Sequence, residues 1–291
     1  MTPQTIREAF AEASSFFRKN NVQQDPDRVS EWLLCHLFGW DRSRLFAHWH
    51  DPFPAEKMKE WEAMLKRKAK GEPVQYIVGE QEFYGLSFKV NPAVLIPRPE
   101  TEILVEQILA LGQKHWPGER LVLADIGTGS GAIAVSIAVR CPAWEVIATD
   151  ISGEALAVAK ENAGDHGVAE HIRWMRGDLL QPLIAARQTV DILVSNPPYI
   201  PTGELAALPA EVGRYEPLTA LDGGADGLDF YRKLAEQMRE LSRRPRLIGL
   251  ETGAGQARAV AEMLAAENDW PNIHIVRDLA GIERHVIACE I

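Results

Sequence analysis

Residues 121–138 constrain the fold more than any other part of the chain. Leu121-Val122-Leu123-Ala124 is an apolar run of strand type, Asp125-Ile126-Gly127-Thr128-Gly129-Ser130-Gly131 is a glycine loop, and Ala132-Ile133-Ala134-Val135-Ser136-Ile137-Ala138 is a small-residue stretch suited to a closely packed helix. Glycines permit positive φ and close backbone approach to a ligand, and a helix N-terminus offers free N–H groups. Strand, glycine loop and helix in this order open an α/β fold that binds its ligand beyond the carboxyl ends of the strands. The loop holds no lysine, which disfavours a nucleoside triphosphate.

Two further strand ends carry acids. Val146-Ile147-Ala148-Thr149-Asp150 is an apolar strand ending in a carboxylate, at the distance from the glycines where a ribose-binding acid is expected. Asp150 could also cap the next helix, Ser152 to Asn162, and the two roles are compatible. The segment Ile172-Arg173-Trp174-Met175-Arg176-Gly177-Asp178-Leu179 ends a third strand in Gly-Asp. Asp178 is then placed to accept a hydrogen bond from an adenine amino group, with Leu179 walling the ring.

A fourth strand, Val190-Asp191-Ile192-Leu193-Val194-Ser195, runs into Asn196-Pro197-Pro198-Tyr199. The prolines fix their own φ, and Asn196, preceding one, is pushed to an extended conformation. One amide side chain thus stands in a stiff, polar-aromatic loop at a strand's C-terminal edge, a way to recognise a planar amino group; Asn-Pro also opens ordinary turns.

With 291 residues, 46% of them apolar, the chain has material for two domains. Residues 1–72 read as a small helical bundle. Ile6, Phe10, Ala13 and Phe17 recur at helical spacing, Val29, Leu33 and Leu37 follow the cap candidate Asp25, and Met58, Trp61 and Leu65 follow Pro54. Trp32, Trp40, Trp49 and Trp61 give it either a tight core or a docking face. Lys66-Arg67-Lys68-Ala69-Lys70 reads as a solvated helix face.

In 73–95, Val74-Gln75-Tyr76-Ile77-Val78-Gly79 and the run Phe83 to Val90 read as short strands of a linker hairpin. Residues 96–291 form the α/β domain, entered through the stiff loop Ile96-Pro97-Arg98-Pro99-Glu100-Thr101-Glu102 and a helix to about Leu111. A loop-rich insertion from Leu205 to Gly227 is long enough for a lid or a substrate rim.

The net charge of −10 is uneven: residues 1–80 hold 12 basic and 12 acidic side chains, the remainder 19 and 29. The half with the glycine loop is therefore acidic, which argues against direct binding of long nucleic acid. Cys35, Cys141 and Cys289 are scattered without paired spacing, and His48 and His50 flank Trp49 without a ligand set, so neither a disulfide framework nor a metal site is expected. No apolar run is long enough to span a membrane, and a cytoplasmic location is expected.

Gln75-Tyr76-Ile77-Val78-Gly79, Ile96-Pro97-Arg98-Pro99-Glu100-Thr101-Glu102, the glycine loop and Ser195-Asn196-Pro197-Pro198-Tyr199-Ile200 together resemble the PrmC/HemK family, the S-adenosylmethionine-dependent glutamine methyltransferases of peptide chain release factors. The resemblance covers nearly the whole chain. It implies a helical N-terminal domain, a hairpin linker and a seven-stranded Rossmann-like class I methyltransferase domain, and methylation of the glutamine in the Gly-Gly-Gln motif of class-one release factors. The charge-balanced, tryptophan-rich helical segment beside an acidic α/β half is then expected to be the part that recognises the release factor. It also implies that Gly127, Thr128, Gly129, Ser130 and Gly131 hold the cofactor's methionine portion and Asp150 its ribose. Asp178 and Leu179 would flank the adenine, Asn196 would also border the cofactor, and Asn196, Pro197, Pro198 and Tyr199 would take the glutamine.

An amide nitrogen is a poor nucleophile because its lone pair is delocalised into the carbonyl. On this expectation the Asn196 side-chain oxygen and the Pro197 carbonyl accept the two amide hydrogens, and Tyr199 packs against the amide plane. An adenine-amino methyltransferase acting on DNA or RNA presents the same planar geometry and is the nearest alternative. A nicotinamide-dependent oxidoreductase would leave Asn196 to Tyr199 unexplained.

Overall fold

The computed structural model describes residues 3–20, 22, 24–267 and 269–291. The chain divides into two compact units, Met1–Gly79 with Pro209–Tyr215, and Glu80–Leu208 with Glu216–Ile291.

In the first unit the apolar stripes form helices Ile6–Lys19, Pro26–Phe38 and Met58–Ala69, with shorter helices at Arg42–Ala47 and Val74–Val78. Asp25 caps the second by accepting the Asp27 N–H at 3.0 Å. Trp61 is buried, and Trp32, Trp40 and Trp49 pack half-buried against the same core, as the core alternative for these residues requires. Two expectations are corrected here. Val74–Val78 is helical, not a strand, because Val74, Ile77 and Val78 fall at helical spacing and all enter this core, while Gly79 ends the turn at φ 82°. The basic run is also not wholly solvated: Lys68 is 1% exposed, its ammonium 3.1 Å from Glu211, so a carboxylate compensates the burial of its charge.

The second unit opens with a hairpin, β1 (Glu80–Phe83) and β2 (Leu86–Lys89). The run from Phe83 that reads as one strand is broken at Tyr84-Gly85, where both residues have positive φ, the signature of a tight two-residue turn. Phe83 and Phe88 are fully buried against the sheet's core, each worth roughly 1.5–3 kcal/mol of burial.

The main sheet comprises β3 (Val122–Ile126), β4 (Glu145–Asp150), β5 (Ile172–Arg176), β6 (Ile192–Ser195), β7 (Leu247–Glu251), β8 (Asn272–Arg277) and β9 (Glu283–Cys289). Its order is β5-β4-β3-β6-β7-β9-β8, and β9 is antiparallel to both neighbours. Apolar clusters fill both faces, which is why the central strands read as continuous apolar runs. The chain winds outward from β3 through β4 to β5, then returns to place β6 on the other side of β3. That reversal is the topological switch point at which such sheets bind ligands. Among the described residues no helix is long and apolar enough to cross a membrane.

Candidate active site

Strand register assembles the site. Met175, Thr149, Ile126, Ser195 and Leu250 are matched across β5, β4, β3, β6 and β7. One residue further along, Asp150, Gly127, Asn196 and Glu251 therefore leave the sheet side by side at its C-terminal edge. A cavity of about 460 Å³ opens there, lined by Gly127, Thr128, Gly129, Ser130, Asp150, Asp178, Leu179, Asn196, Pro197 and Pro198 among others. A more open hollow of about 750 Å³, lined by Arg120, Glu145 and Arg173, lies where β4 and β5 begin, away from these loops.

Gly127 and Gly129 have φ of 73° and 56°, and a Cβ on either would meet nothing within 4 Å, so the backbone itself forms an open cradle. Asp150 braces it: one carboxylate oxygen accepts the Gly129 N–H at 2.9 Å, the other the Ser152 N–H at 2.8 Å. The following helix, Gly153–Asp165, is capped by Ser152, not by Asp150. Burial raises the Asp150 carboxyl above its usual range, opposed by these N–H groups. Beneath the loop, burial pushes Asp125 up to about 7 against the hydrogen bonds it accepts from the Thr128 hydroxyl and the Ala134 N–H.

Asp178 pairs with Lys233 through one oxygen. Leu179 is held at φ 53°, an uncommon conformation for a residue with a side chain, and its carbonyl accepts the Thr149 hydroxyl at 3.2 Å. Gly131 and Tyr199 are not part of the cavity wall. Gly131 caps the helix Ala132–Arg140 at φ 82°. Tyr199 anchors the loop from behind: its carbonyl accepts the Gln256 side-chain N–H at 2.9 Å, and burial, then the charge of Glu251, pushes its phenol up to about 12.

The exit of the loop is stitched to the insertion. Ile200 donates to the Leu221 carbonyl and Gly223 donates to the Ile200 carbonyl, at 3.0 and 2.8 Å. A Cβ on Gly223 would lie 2.7 Å from the Tyr199 Cα. Gly223→Ala is therefore expected to shift this loop, costing about 1–3 kcal/mol of stability and lowering turnover. Thermal unfolding and initial rates check it, and wild-type values for both would show the loop tolerates the methyl.

Other residues of the site escaped the sequence reading as site residues. Pro217, Leu218 and Ala220 form part of the cavity wall, giving the insertion the position of a rim. Arg98 reaches Glu216 at 2.5 Å and so ties the Pro97-Arg98 loop to that rim. Thr101 borders the cavity and its hydroxyl accepts from Nδ2 of Asn196 at 3.1 Å, and Glu251 lies one hydrogen bond further in. A signal for Glu251 was present: an acid directly follows the apolar strand, as Asp150 follows Thr149.

The seven-stranded sheet with the cavity at its switch point is the Rossmann-like class I methyltransferase fold. The hMettl16 catalytic domain in complex with MAT2A 3′UTR hairpin 6 shares this fold, with TM-score 0.56 and 16% identity over 82% of this chain and 83% of that one. Residues 8–79 match the family described as PrmC N-terminal domain, and residues 100–208 the methyltransferase small domain. The release factor glutamine methyltransferase of Moorella thermoacetica is 44% identical over 98% of each chain, and that of Bacillus subtilis 38% over 98% of this chain and 97% of its own. The chain belongs to the release factor glutamine methyltransferase family.

Proposed function

We propose that this chain is a cytoplasmic enzyme that carries a methyl group from S-adenosylmethionine to the side-chain amide nitrogen of the glutamine in the Gly-Gly-Gln motif of class-one peptide chain release factors. The observation that carries this is the meeting, in one cavity, of a backbone cradle at Gly127 and Gly129 with the Asn196-Pro197-Pro198 loop, in a chain so close over its length to the named relatives. The cofactor fits these residues: the cradle leaves room for it, Asp150 retains acceptor capacity for a ribose diol, and Leu179 offers an apolar wall. Bound there, it supplies an electrophilic methyl on a sulfonium.

The remaining work falls to the chain. Because Nδ2 of Asn196 is given to Thr101, its Oδ1 is left to accept one amide hydrogen, and the Pro197 carbonyl accepts the other. Holding both hydrogens fixes the amide plane and aims the nitrogen, with the apolar wall excluding water. Tyr199 acts by anchoring the loop. The proton leaves after transfer, so no strong base is required. The relatives favour this reading over an adenine-directed one.

Two measurements follow. Asp150→Ala is expected to weaken cofactor binding by about 1–3 kcal/mol, since it removes the acceptor and releases the Gly129 N–H. An unchanged calorimetric titration would leave Asp150 no part in the cofactor site. Incubation with methyl-labelled cofactor and, separately, release factor, DNA and RNA should label only the release factor; label in nucleic acid would restore the adenine alternative.

A further inference from the structure

Thr101 and Glu251 are buried polar residues for which the methyl transfer itself provides no role. They are 4% and 1% exposed; Thr101 borders the cavity and accepts from Asn196, and Glu251 lies one hydrogen bond further in. Their meeting has a packing cause. The helix Pro99–His115 lies tight on β7, where a Cβ on Gly249 would be 2.8 Å from Leu104 and Ile108, and this close approach brings the first turn of the helix to the end of the strand. Thr101 there donates its hydroxyl proton to Glu251 Oε2 at 2.6 Å.

A hydroxyl has one proton to give, and a carboxylate can only accept. With that proton committed to Glu251, the Thr101 oxygen faces Asn196 as an acceptor, and only the NH2 edge of the Asn196 amide satisfies it. Turning the amide over would set its oxygen against the Thr101 lone pairs and leave both without a donor, a buried mismatch that costs free energy. We propose that Glu251, acting through Thr101, is a positioning residue that sets the polarity of the Asn196 amide, so that its oxygen and not its NH2 faces the substrate. This rests on the proposed role of Asn196 as an acceptor.

Glu251 is itself held in place. The Tyr231 hydroxyl donates to its backbone carbonyl at 2.7 Å, and its cross-strand partner His285 places Nε2 3.7 Å from Oε2. His285 is fully buried, and neither ring nitrogen has a hydrogen-bond partner among the described residues. A buried carboxylate is costly, and an apolar residue would pack this strand end more cheaply. A carboxamide at position 251 could present NH2 to Thr101, free the hydroxyl proton for Asn196 and so reverse the chain of hydrogen bonds.

The test compares Thr101→Val, Thr101→Ser and Glu251→Gln with Asn196→Ala, measuring cofactor dissociation constant, KM and kcat for the release factor, and thermal unfolding. Thr101→Val should lower kcat by about tenfold or more, the scale of a misoriented reacting group, with KM and cofactor binding unchanged. Thr101→Ser should regain the rate, Glu251→Gln should fall between, and Thr101→Val should add little in the Asn196→Ala background. If Asn196→Ala is crippled while Thr101→Val and Glu251→Gln keep wild-type kcat, the positioning role is wrong and the proposed function stands. If Asn196→Ala itself is near wild type, the acceptor role fails first. Equal losses of rate and stability in Thr101→Val and Thr101→Ser would reduce Thr101 to a packing role and overturn the proposal.

Discussion

Asn196→Ala is expected to lower kcat by about 100-fold or more while leaving cofactor binding intact. The substitution removes the acceptor that fixes one amide hydrogen, but not the Gly127 and Gly129 cradle or Asp150, which lie on other strands. It also leaves the loop standing. Pro197 and Pro198 keep their φ, Tyr199 keeps its hydrogen bond from Gln256, and Ile200 remains bonded to Leu221. The Thr101 oxygen loses its donor, a cost to stability of about 1 kcal/mol. The loss should therefore appear in single-turnover rates and scarcely in the unfolding midpoint. Near-wild-type turnover would contradict the mechanism.

Removing residues 1–79 is expected to leave cofactor binding nearly unchanged and to lower kcat/KM on intact release factor by about 100-fold or more, the scale a second linked binding site confers. The cavity wall belongs wholly to the second unit, so the cofactor site does not need the helical one. A cavity that takes the cofactor and one glutamine side chain would touch little of a folded substrate, and remote binding energy can hold the glutamine in register. The helical unit also exposes Phe16 and Phe46, 36% and 44%, beyond its closed core. Because Pro209–Tyr215 packs with that unit, the shortened protein must first show a cooperative unfolding transition and wild-type cofactor affinity. A short Gly-Gly-Gln peptide should be a poor substrate for both forms. If the folded, shortened enzyme methylates intact release factor as well as the whole chain does, the recognition role of the helices is wrong.

The parts of the site legible in the sequence are those carried by contiguous residues at strand ends. Asp150, the glycine loop and Asn196 each follow an apolar run directly, and parallel register then brings them together. Thr101 and Glu251 were not legible as a pair because their contact depends on a helix approaching β7 at Gly249, a tertiary event between residues 150 apart in the chain. The burial of Lys68 was hidden in the same way, since Glu211 lies 143 residues away. Val74–Val78 misled for a local reason: its β-branched and aromatic residues suit a strand, and only the core of the helical unit decides for a helix. The position of Tyr199 behind the loop follows from Gln256 and Gly223, neither of which the loop sequence announces.

The most direct measurement is the location of the transferred methyl. Release factor incubated with the enzyme and methyl-labelled cofactor is digested, and the labelled peptide is fragmented in a mass spectrometer. The account predicts one methyl on the side-chain nitrogen of the glutamine in Gly-Gly-Gln, present with wild-type enzyme and nearly absent with Asn196→Ala. A methyl on any other residue, or on that glutamine at equal rate without Asn196, would contradict it.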